Sequence, residues 1–452
     1  MLASSAVARG QAGQGDRVVP SSTELPQVLS LDEAVRILHR QGLDLLIAEA
    51  AVRNAEGAVT IAGAIPNPVV SGSGGYAVTY SHTHASRMNC LQNGAVCTPW
   101  MNSVGISDSA AIEESLSGKR SLRLKVARNA LAAAKMSRAD AERTLGFQVK
   151  SVYVQVAQAA LGYHFARQVA ASNETTLKKF QARYRKGAIS EGDLQRIETQ
   201  KLESDQALST AVQTLREARL SLAFLLGVRG AVPDFEVDTR VLEFSVPAPL
   251  RQATEAGLLR TACAHRPDLL SLGFSKASAE AQLQLARRQR FPGITLGLSY
   301  GFGGYGGFST NGPIGQQIVS LSLSTPIPVF YQLEGELRQA RAQRDTAALQ
   351  EARVTAQVVN DVSAALAGFT AARALVERME GPRREGGGLL QSAKGAFDAV
   401  AYQYDKGAAS LTDYLDALRT YIATKTEYFG DLASYWTAVY QLEAAIATEL
   451  HG

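Results

Sequence analysis

Cysteine is scarce, with three in 452 residues, which excludes a disulfide-built scaffold. Long apolar runs are missing too. None approaches the roughly 18–20 residues a spanning helix needs, so a helical membrane protein is excluded. Charge is thin at 19% of residues and nearly balanced at +4, which argues against a nucleic-acid partner. Hydrophobic residues at 46% are too many for a disordered tail. The six histidines (39, 82, 84, 164, 265, 451) are scattered with no HExxH, and no catalytic set or cofactor motif appears. Gly301-Phe-Gly-Gly-Tyr-Gly-Gly307 superficially resembles a phosphate loop but lacks the Gly-Lys-Ser/Thr ending and opens no helix. The residues argue against an enzyme. One membrane class survives these absences: a β-barrel, whose alternating strands leave hydropathy near zero, and the mean hydropathy is −0.06.

What the chain does have is a duplication. Gly-Leu-Asp-Leu-Leu at 42–46 is echoed by Arg-Pro-Asp-Leu-Leu at 266–270, and Ala-Ile-Pro-Asn-Pro at 64–68 by Arg-Phe-Pro-Gly at 290–293. Lys-Gly-Ala-Ile-Ser-Glu-Gly-Asp-Leu at 186–194 is echoed by Lys-Gly-Ala-Ala-Ser-Leu-Thr-Asp-Tyr-Leu at 406–415. The offsets are 224 from Asp44 to Asp268, 226 from Pro66 to Pro292, 220 from Gly187 to Gly407 and 217 from Gly118 to Gly335. A unit of about 220 residues is too long for a solenoid repeat, so each copy is half of a fold. This divides the chain into an N-terminal extension (1–28), a first repeat (29–228) and a second (229–452). The extension begins with small polar residues and shows neither a basic nor an apolar signal-peptide region, so compartment is argued from elsewhere.

Each half reads in one order. A capping box at Ser30–Glu33 opens a helix to about Ala62, ended by Pro66 and Pro68. Two alternating segments follow, then a long helix from about Gly118 to Arg185, a turn, and a helix over about 191–227. The second half repeats this with a helix at about 250–290, one from about 335, a turn at 406–410 and a helix to Leu450. Leu145, Val149, Val152, Val156, Ala159, Tyr163 and Ala166 step by 4,3,4,3,4,3, and Val358, Val362, Ala365, Phe369, Ala372 and Val376 by 4,3,4,3,4. Leu208, Ala211, Leu215, Ala218, Leu222 and Leu225 do the same. Such spacing marks side-by-side coiled-coil packing. At 1.5 Å per residue the first long helix measures roughly 100 Å, which calls for an elongated object. Gly381-Pro382 with Gly386-Gly387-Gly388 is expected to interrupt the second.

The alternating segments read as membrane strands at about 69–80, 102–116, 294–303 and 317–325. Ile294, Leu296, Leu298, Tyr300 and Phe302 share one face, with Thr295, Gly297, Ser299, Gly301 and Gly303 on the other. Val319, Leu321 and Leu323 alternate with Ser320, Ser322 and Ser324. A polar face made only of small uncharged residues suits a barrel interior. Tyr300, Phe302, Tyr305 and Phe308 cluster as an interfacial girdle does. In the first half Val104, Ile106, Ala110 and Ile112 share a parity, on which Asp108 also falls. Four strands cannot close, and exposed edges aggregate, so several chains are required. Three would supply twelve strands. The rival reading is a soluble coiled-coil scaffolding protein with a Gly-rich hairpin.

From about Leu29 to Leu450 the ordered set of motifs resembles the TolC-type outer membrane factor family. It is carried by the two Lys-Gly-Ala turns with their Ser and Asp, the Pro after each first helix, and Ser117-Gly118-Lys119-Arg120. The segment Pro326-Ile-Pro-Val-Phe-Tyr-Gln-Leu-Glu-Gly335-Glu-Leu-Arg-Gln-Ala340 completes it and, with Pro66-Asn67-Pro68, is most similar to the heavy-metal-efflux (CzcC-like) branch. The resemblance implies a mainly α fold with a small β part, a homotrimer with a twelve-stranded barrel in the outer membrane of a Gram-negative bacterium, and a long periplasmic α-barrel. It implies the exit duct of a tripartite efflux pump, partnered by a periplasmic adaptor and an inner-membrane transporter of the RND type, passing metal ions or drugs. Chain and family differ at the N-terminus, where no Cys for a lipid anchor stands.

Gly187 and Gly407 stand where a helix stops and reverses, which favours positive φ. Ser190 and Ser410 can cap the returning helices, with Asp193 and Asp413 in the first turns. The family presents these turns, with Leu194 and Leu415, to the adaptor. Asp413 and Asp416, spaced i,i+3, share a helix face. The resemblance places them with Tyr404 at the pore entrance, where three chains gather six carboxylates that repel one another and attract cations. Arg196 stands where the first turn would carry its second acid. Cys90 and Cys97 flank a Gly-containing loop at about 81–101 and suggest a disulfide in an oxidising compartment. A metal site from His82, His84, Met88 and these thiols is the lesser alternative. Cys263 is expected to be a buried helix residue.

Overall fold

A computed structural model describes residues 22, 24–76, 78, 97–108, 117–291, 293–305, 307–309, 312–314, 317–327, 329–381 and 387–450. In chain order the elements are β1 (Val28–Leu29), α1 (Leu31–Gln41), α2 (Leu43–Gly63), β2 (Val69–Tyr76), β3 (Cys97–Asp108), α3 (Lys119–Arg185) and α4 (Glu191–Leu225). The second half supplies β4 (Glu236–Val237), α5 (Glu255–His265), α6 (Pro267–Gln289), β5 (Thr295–Tyr305), β6 (Gly307–Ser309), β7 (Gly312–Ile314), β8 (Gln317–Ser324), α7 (Glu334–Glu380), α8 (Leu389–Asp405) and α9 (Leu411–Ile446). No described helix is long and apolar enough to cross a membrane.

The chain forms two compact units, and each draws on both sequence halves. The first comprises 51–135 and 270–353 and contains an antiparallel sheet in the order β2-β3-β5-β8. Its register pairs Leu296 with Leu323, Leu298 with both Leu321 and Ile106, and Tyr300 with both Val319 and Val104. With a side-chain period of two, these residues line one face. Val70, Val319, Leu321 and Leu323 there are each about two-thirds exposed or more, a contiguous apolar face of the kind that marks an interaction surface. The opposite face carries Ser71, Ser73, Ser103, Ser107, Ser299, Ser320 and Ser322 with Gly105, Gly297 and Gly301. Val69, Met101 and Ile318 are apolar exceptions on that face, opposite Ser107, Gly303 and Gly301. Ser73 and Ser103 share a hydroxyl hydrogen bond of 2.8 Å. A Cβ at Gly297 would stand 2.5 Å from Ser322 Oγ, so a larger residue there requires the Ser322 hydroxyl to turn away. Asp108 is the last residue of β3, opposite Leu296, which puts its charge at the strand's end.

At that end the connections are tied together. Arg120 donates twice to the carbonyl of Gly63 (2.9 and 2.7 Å), Lys119 Nζ to that of Phe291 (2.8 Å), and Arg290 Nε to that of Gln332 (3.2 Å). Leu283 and Ala286 of α6 pack on Leu337 and Ala340 of α7. Ser271 and Ser278 donate to the carbonyls of Ala133 and Val126 at 3.0 Å, a close helix approach that small residues permit.

The second unit comprises 1–50, 136–269 and 354–452. Its core joins Val149, Tyr153 and Val156 of α3, Leu215 and Leu222 of α4, and Leu432, Tyr435, Val439 and Leu442 of α9. All six members of the 358–376 heptad series on α7 lie in that core, each at most 8% exposed, so the 3.5-residue period located the seam. The small parallel pair β1–β4 is pinned there. Tyr153 Oη donates to Leu29 O at 2.8 Å and accepts from Asp238 N at 3.0 Å. Burial pushes the Tyr153 hydroxyl up to about 12.

Several expectations are corrected. The first helix breaks at Gly42, and the 250–290 helix is the end of one 3-10 turn (Ala248–Arg251) followed by α5 and α6. The second strand starts at Cys97 rather than near 102. The register with β5 is irregular between Cys97 and Met101, so Pro99, which cannot donate to a ladder, falls at the irregularity. Cys263 is exposed, because Leu258 and Ala262 hold the buried stripe of α5 and the next residue turns about 100° away. The β1–β4 and β6–β7 pairs have no counterpart among the elements expected from the sequence. The interruption after Glu380 is present, α8 beginning at Leu389.

Candidate functional site

The two Lys-Gly-Ala turns fold alike. Gly187 has φ +70 and Gly407 φ +75, the left-handed region that closes a helix. Gly187 N donates to Tyr184 O (2.8 Å) and Ala188 N to Arg183 O (3.0 Å). Gly407 N donates to Tyr404 O (3.0 Å) and Ala408 N to Gln403 O (2.8 Å). A Cβ at either glycine would meet nothing within 4 Å. The requirement for glycine is therefore backbone conformation and not space.

The returning helices are capped in the expected way. Ser190 Oγ accepts from Asp193 N at 3.1 Å and donates to Asp193 Oδ2 at 2.8 Å. Ser410 Oγ accepts from Asp413 N at 3.2 Å, while Asp413 Oδ2 accepts from Ser410 N (3.1 Å) and Ser410 Oγ (2.7 Å), a complete capping box. Those bonds hold the Asp413 carboxyl below the usual carboxylate range. Asp416 lies one turn along, exposed. Its carboxylate has no hydrogen-bond or ion-pair partner among the described residues; only its backbone carbonyl is engaged, by Thr420.

A separate small core joins the turns. Phe180, Ile197, Leu411 and Leu415 are buried at 3–7% exposure, with Leu194, Tyr404 and Tyr414 packed against them. The rings of Phe180 and Tyr404 are parallel within 4° at 5.9 Å, and Tyr404 meets Tyr414 at 5.4 Å. Burial pushes the Tyr404 hydroxyl above its usual range against the pull of Arg183. Arg196 reaches across to Thr412 Oγ1 at 3.2 Å. The site residues thus separate by surroundings. Gly187, Ser190, Gly407, Ser410, Asp413 and Asp416 face solvent; Asp193 and Leu194 are half-buried; Leu415 is a packing residue; Tyr404 is a ring of the tip core.

Sequence reading missed the aromatic run that continues from this core. Tyr414 and Tyr421 both meet Phe397, Tyr421 meets Phe165, and Phe165 meets Phe429. Lys425 Nζ stands 4.5 Å from the centre of the Phe165 ring. The signal was available: Tyr414, Tyr421, Tyr428 and Tyr435 recur every seventh residue. Cys90 lies outside the described residues, and Cys97 opens β3. His82, His84 and Met88 also lie outside the described residues.

The family described as outer membrane efflux protein matches this sequence twice, over residues 37–228 and 258–448. The pyoverdine export outer membrane protein OpmQ of Pseudomonas aeruginosa is 26% identical over 389 residues, covering 84% of this chain and 77% of that protein. Among solved structures, the Campylobacter jejuni CmeC outer membrane channel superposes with a TM-score of 0.69 at 16% identity, covering 92% of this chain and 85% of that one. The open state of the Neisseria gonorrhoeae MtrE outer membrane channel gives a TM-score of 0.68 at 18% identity, covering 93% of this chain and 89% of that one.

Proposed function

We infer the function from the family: the chain belongs to the outer membrane efflux protein family, and it is the outer membrane exit duct of a tripartite efflux pump, with its helices extending into the periplasm. It is not an enzyme. Family members form trimeric channels that work with adaptor proteins and inner-membrane pumps. For this chain we propose a homotrimer in which three sheets close a twelve-stranded barrel. The single observation that carries this is the four-stranded sheet itself. It is largely apolar and exposed on one face and lined mostly by serine and glycine on the other, and β2 and β8 each have one edge unpaired among the described residues. The two repeats, 29–228 and 229–452, each contribute two strands and one tip turn, preceded by the extension 1–28.

The tip, by this reading, is the docking surface for a periplasmic adaptor, presenting Gly187, Ser190, Asp193, Leu194, Gly407 and Ser410 over the packing residue Leu415. Asp413, Asp416 and Tyr404 form the gate. Cargo is chosen by an inner-membrane transporter of the RND type, since the serine- and glycine-lined sheet face offers few groups that discriminate. The heavy-metal-efflux branch is favoured for cargo by the Pro326–Ala340 segment.

Valine at Gly187 or Gly407 tests the tip. A β-branched residue at that φ costs about 1–3 kcal/mol of backbone strain, with no clash to confuse the reading. Export in a deletion strain is expected to fall at least several-fold while heat-resistant trimers still reach the outer membrane. Asparagine, which tolerates positive φ, should restore it. Undiminished export in both valine variants overturns the docking role.

We also propose that Cys90 and Cys97 are disulfide-linked. Closing so short a loop restricts the unfolded chain by roughly 2–3 kcal/mol. Mass mapping without reductant should recover the 90–97 cross-link, and alkylatable thiols at both positions in protein from its native membrane would refute it.

A further inference from the structure

The strand-bearing unit holds a patch that the duct reading leaves unused. Thr295 pairs with Ser324, so the segments before β5 and after β8 leave the sheet at the same end, next to the apolar Leu296–Leu323 pair. There the chain exposes Ile327 at 75% and Phe330 at 100%, within the Pro-Ile-Pro-Val-Phe-Tyr run that stood out in the sequence. Between Arg287 and Asp345 lie six arginines and only three acids. Two of those acids are occupied: Glu336 accepts from the Tyr331 hydroxyl at 2.6 Å, and Asp345 is paired with Arg344. Arg287 and Arg288 end α6, and Arg338 and Arg341 begin α7, which pack on each other through Leu283, Ala286, Leu337 and Ala340. All four arginines are exposed, and none makes an ion pair among the described residues.

Apolar side chains continuing the membrane-facing band, with unpaired guanidinium groups just beyond them, fit a lipid headgroup layer. The stems lie along the acyl boundary and the cations reach the phosphates. Arginine's fork binds a phosphate with two parallel hydrogen bonds. We propose that Arg287, Arg288, Arg338 and Arg341, with Ile327 and Phe330, form a binding site for anionic phospholipid headgroups at the periplasmic face of the outer membrane. The site rests on the reading of the sheet as barrel wall. It holds the duct at a fixed depth, and the lipid neutralises a cationic collar that would otherwise repel itself.

The test uses full-length, delipidated trimer in detergent, titrated with phosphatidylglycerol, phosphatidylcholine or inorganic phosphate and followed by native mass spectrometry. The wild-type protein is expected to retain phosphatidylglycerol at least tenfold more tightly than phosphatidylcholine, since each interfacial cation contributes roughly fivefold. Arg287→Gln/Arg288→Gln/Arg338→Gln/Arg341→Gln should bring the two lipids within about twofold of each other, and the matching four-lysine variant should keep the preference. Ile327→Ser/Phe330→Ser should weaken both lipids alike. Equal binding of the two lipids by wild type, or a preference that survives the glutamine variant, overturns the proposal. So does displacement of the lipid by inorganic phosphate at matched charge, which would mark a free-anion site. Failure of the barrel reading shows separately, as loss of heat-resistant trimers from outer membrane fractions of the wild type.

Discussion

Replacing Arg266 with methionine is expected to speed local opening around the α5–α6 junction by about a hundredfold or more. Arg266 is 3% exposed. Its Nη1 donates to Asp361 Oδ2 at 2.8 Å, its Nη2 to Asp268 Oδ2 at 2.6 Å and its Nε to Asp268 Oδ1 at 3.0 Å. Burial alone would lower the guanidinium's pKa, but the two carboxylates override it and the net shift is upward. Removing one member of such a cluster leaves uncompensated charge in a poorly solvated place, at a cost of about 3–5 kcal/mol. The pH dependence follows from Asp268. Burial pushes its carboxyl up, Arg266 pulls it down further, and the result lies below the usual value. A depressed pKa gives stability that is present at neutral pH and lost as pH falls through the folded value. The variant's deficit should therefore be largest near neutrality and shrink toward pH 4, as the stranded carboxylates protonate. Amide exchange at residues 262–272 and 358–364 reads this directly. Unchanged exchange in Arg266→Met, or a deficit that grows on acidification, would show that the cluster does not hold this junction.

That cluster also marks where the sequence stopped being legible. The repeat aligns Arg266 with Gly42 and Asp268 with Asp44, and both pairs stand where one helix ends and the next begins. Pro267, tolerated in a first turn, even signals the restart. What no local pattern reveals is that Asp361, 95 positions away in sequence, arrives to make Arg266 a buried ion. Coiled-coil seams were legible because a period of 3.5 fixes which face is buried whatever the partner is. The tip was legible because glycine at positive φ and a serine cap are local chemistry written twice. β3 begins before the expected 102 although Pro99 weighs against a strand in the local sequence, because the irregular pairing with β5 makes room for it. The β1–β4 pair, two residues on each side, is too short to announce itself; it exists because the buried Tyr153 hydroxyl bonds to both of its flanks.

The largest functional change is expected from Asp416, and the structure separates it from Asp413. If both acids ring the entrance of a trimer, six carboxylates lie close to one axis, and each repels the others while holding passing cations. Asp413 is already committed to the cap of α9, where Ser410 supplies two hydrogen bonds to one oxygen. Asp416 has no such bonds, so its charge is the one available to a divalent ion. In planar-bilayer recordings Asp416→Asn should raise the concentration for half-block by a divalent cation about tenfold and reduce cation preference. Asp413→Asn should do less at the pore, and should loosen the tip by weakening the capping box with Ser410. The double variant should lose block almost entirely yet still assemble, because the tip core is made by Leu411 and Leu415 on another face of the helix. Solvated surface acids predict no change in conductance, selectivity or block. A double variant that records like wild type would remove both residues from the gate, leaving Asp413 as a cap and Asp416 as an ordinary exposed acid.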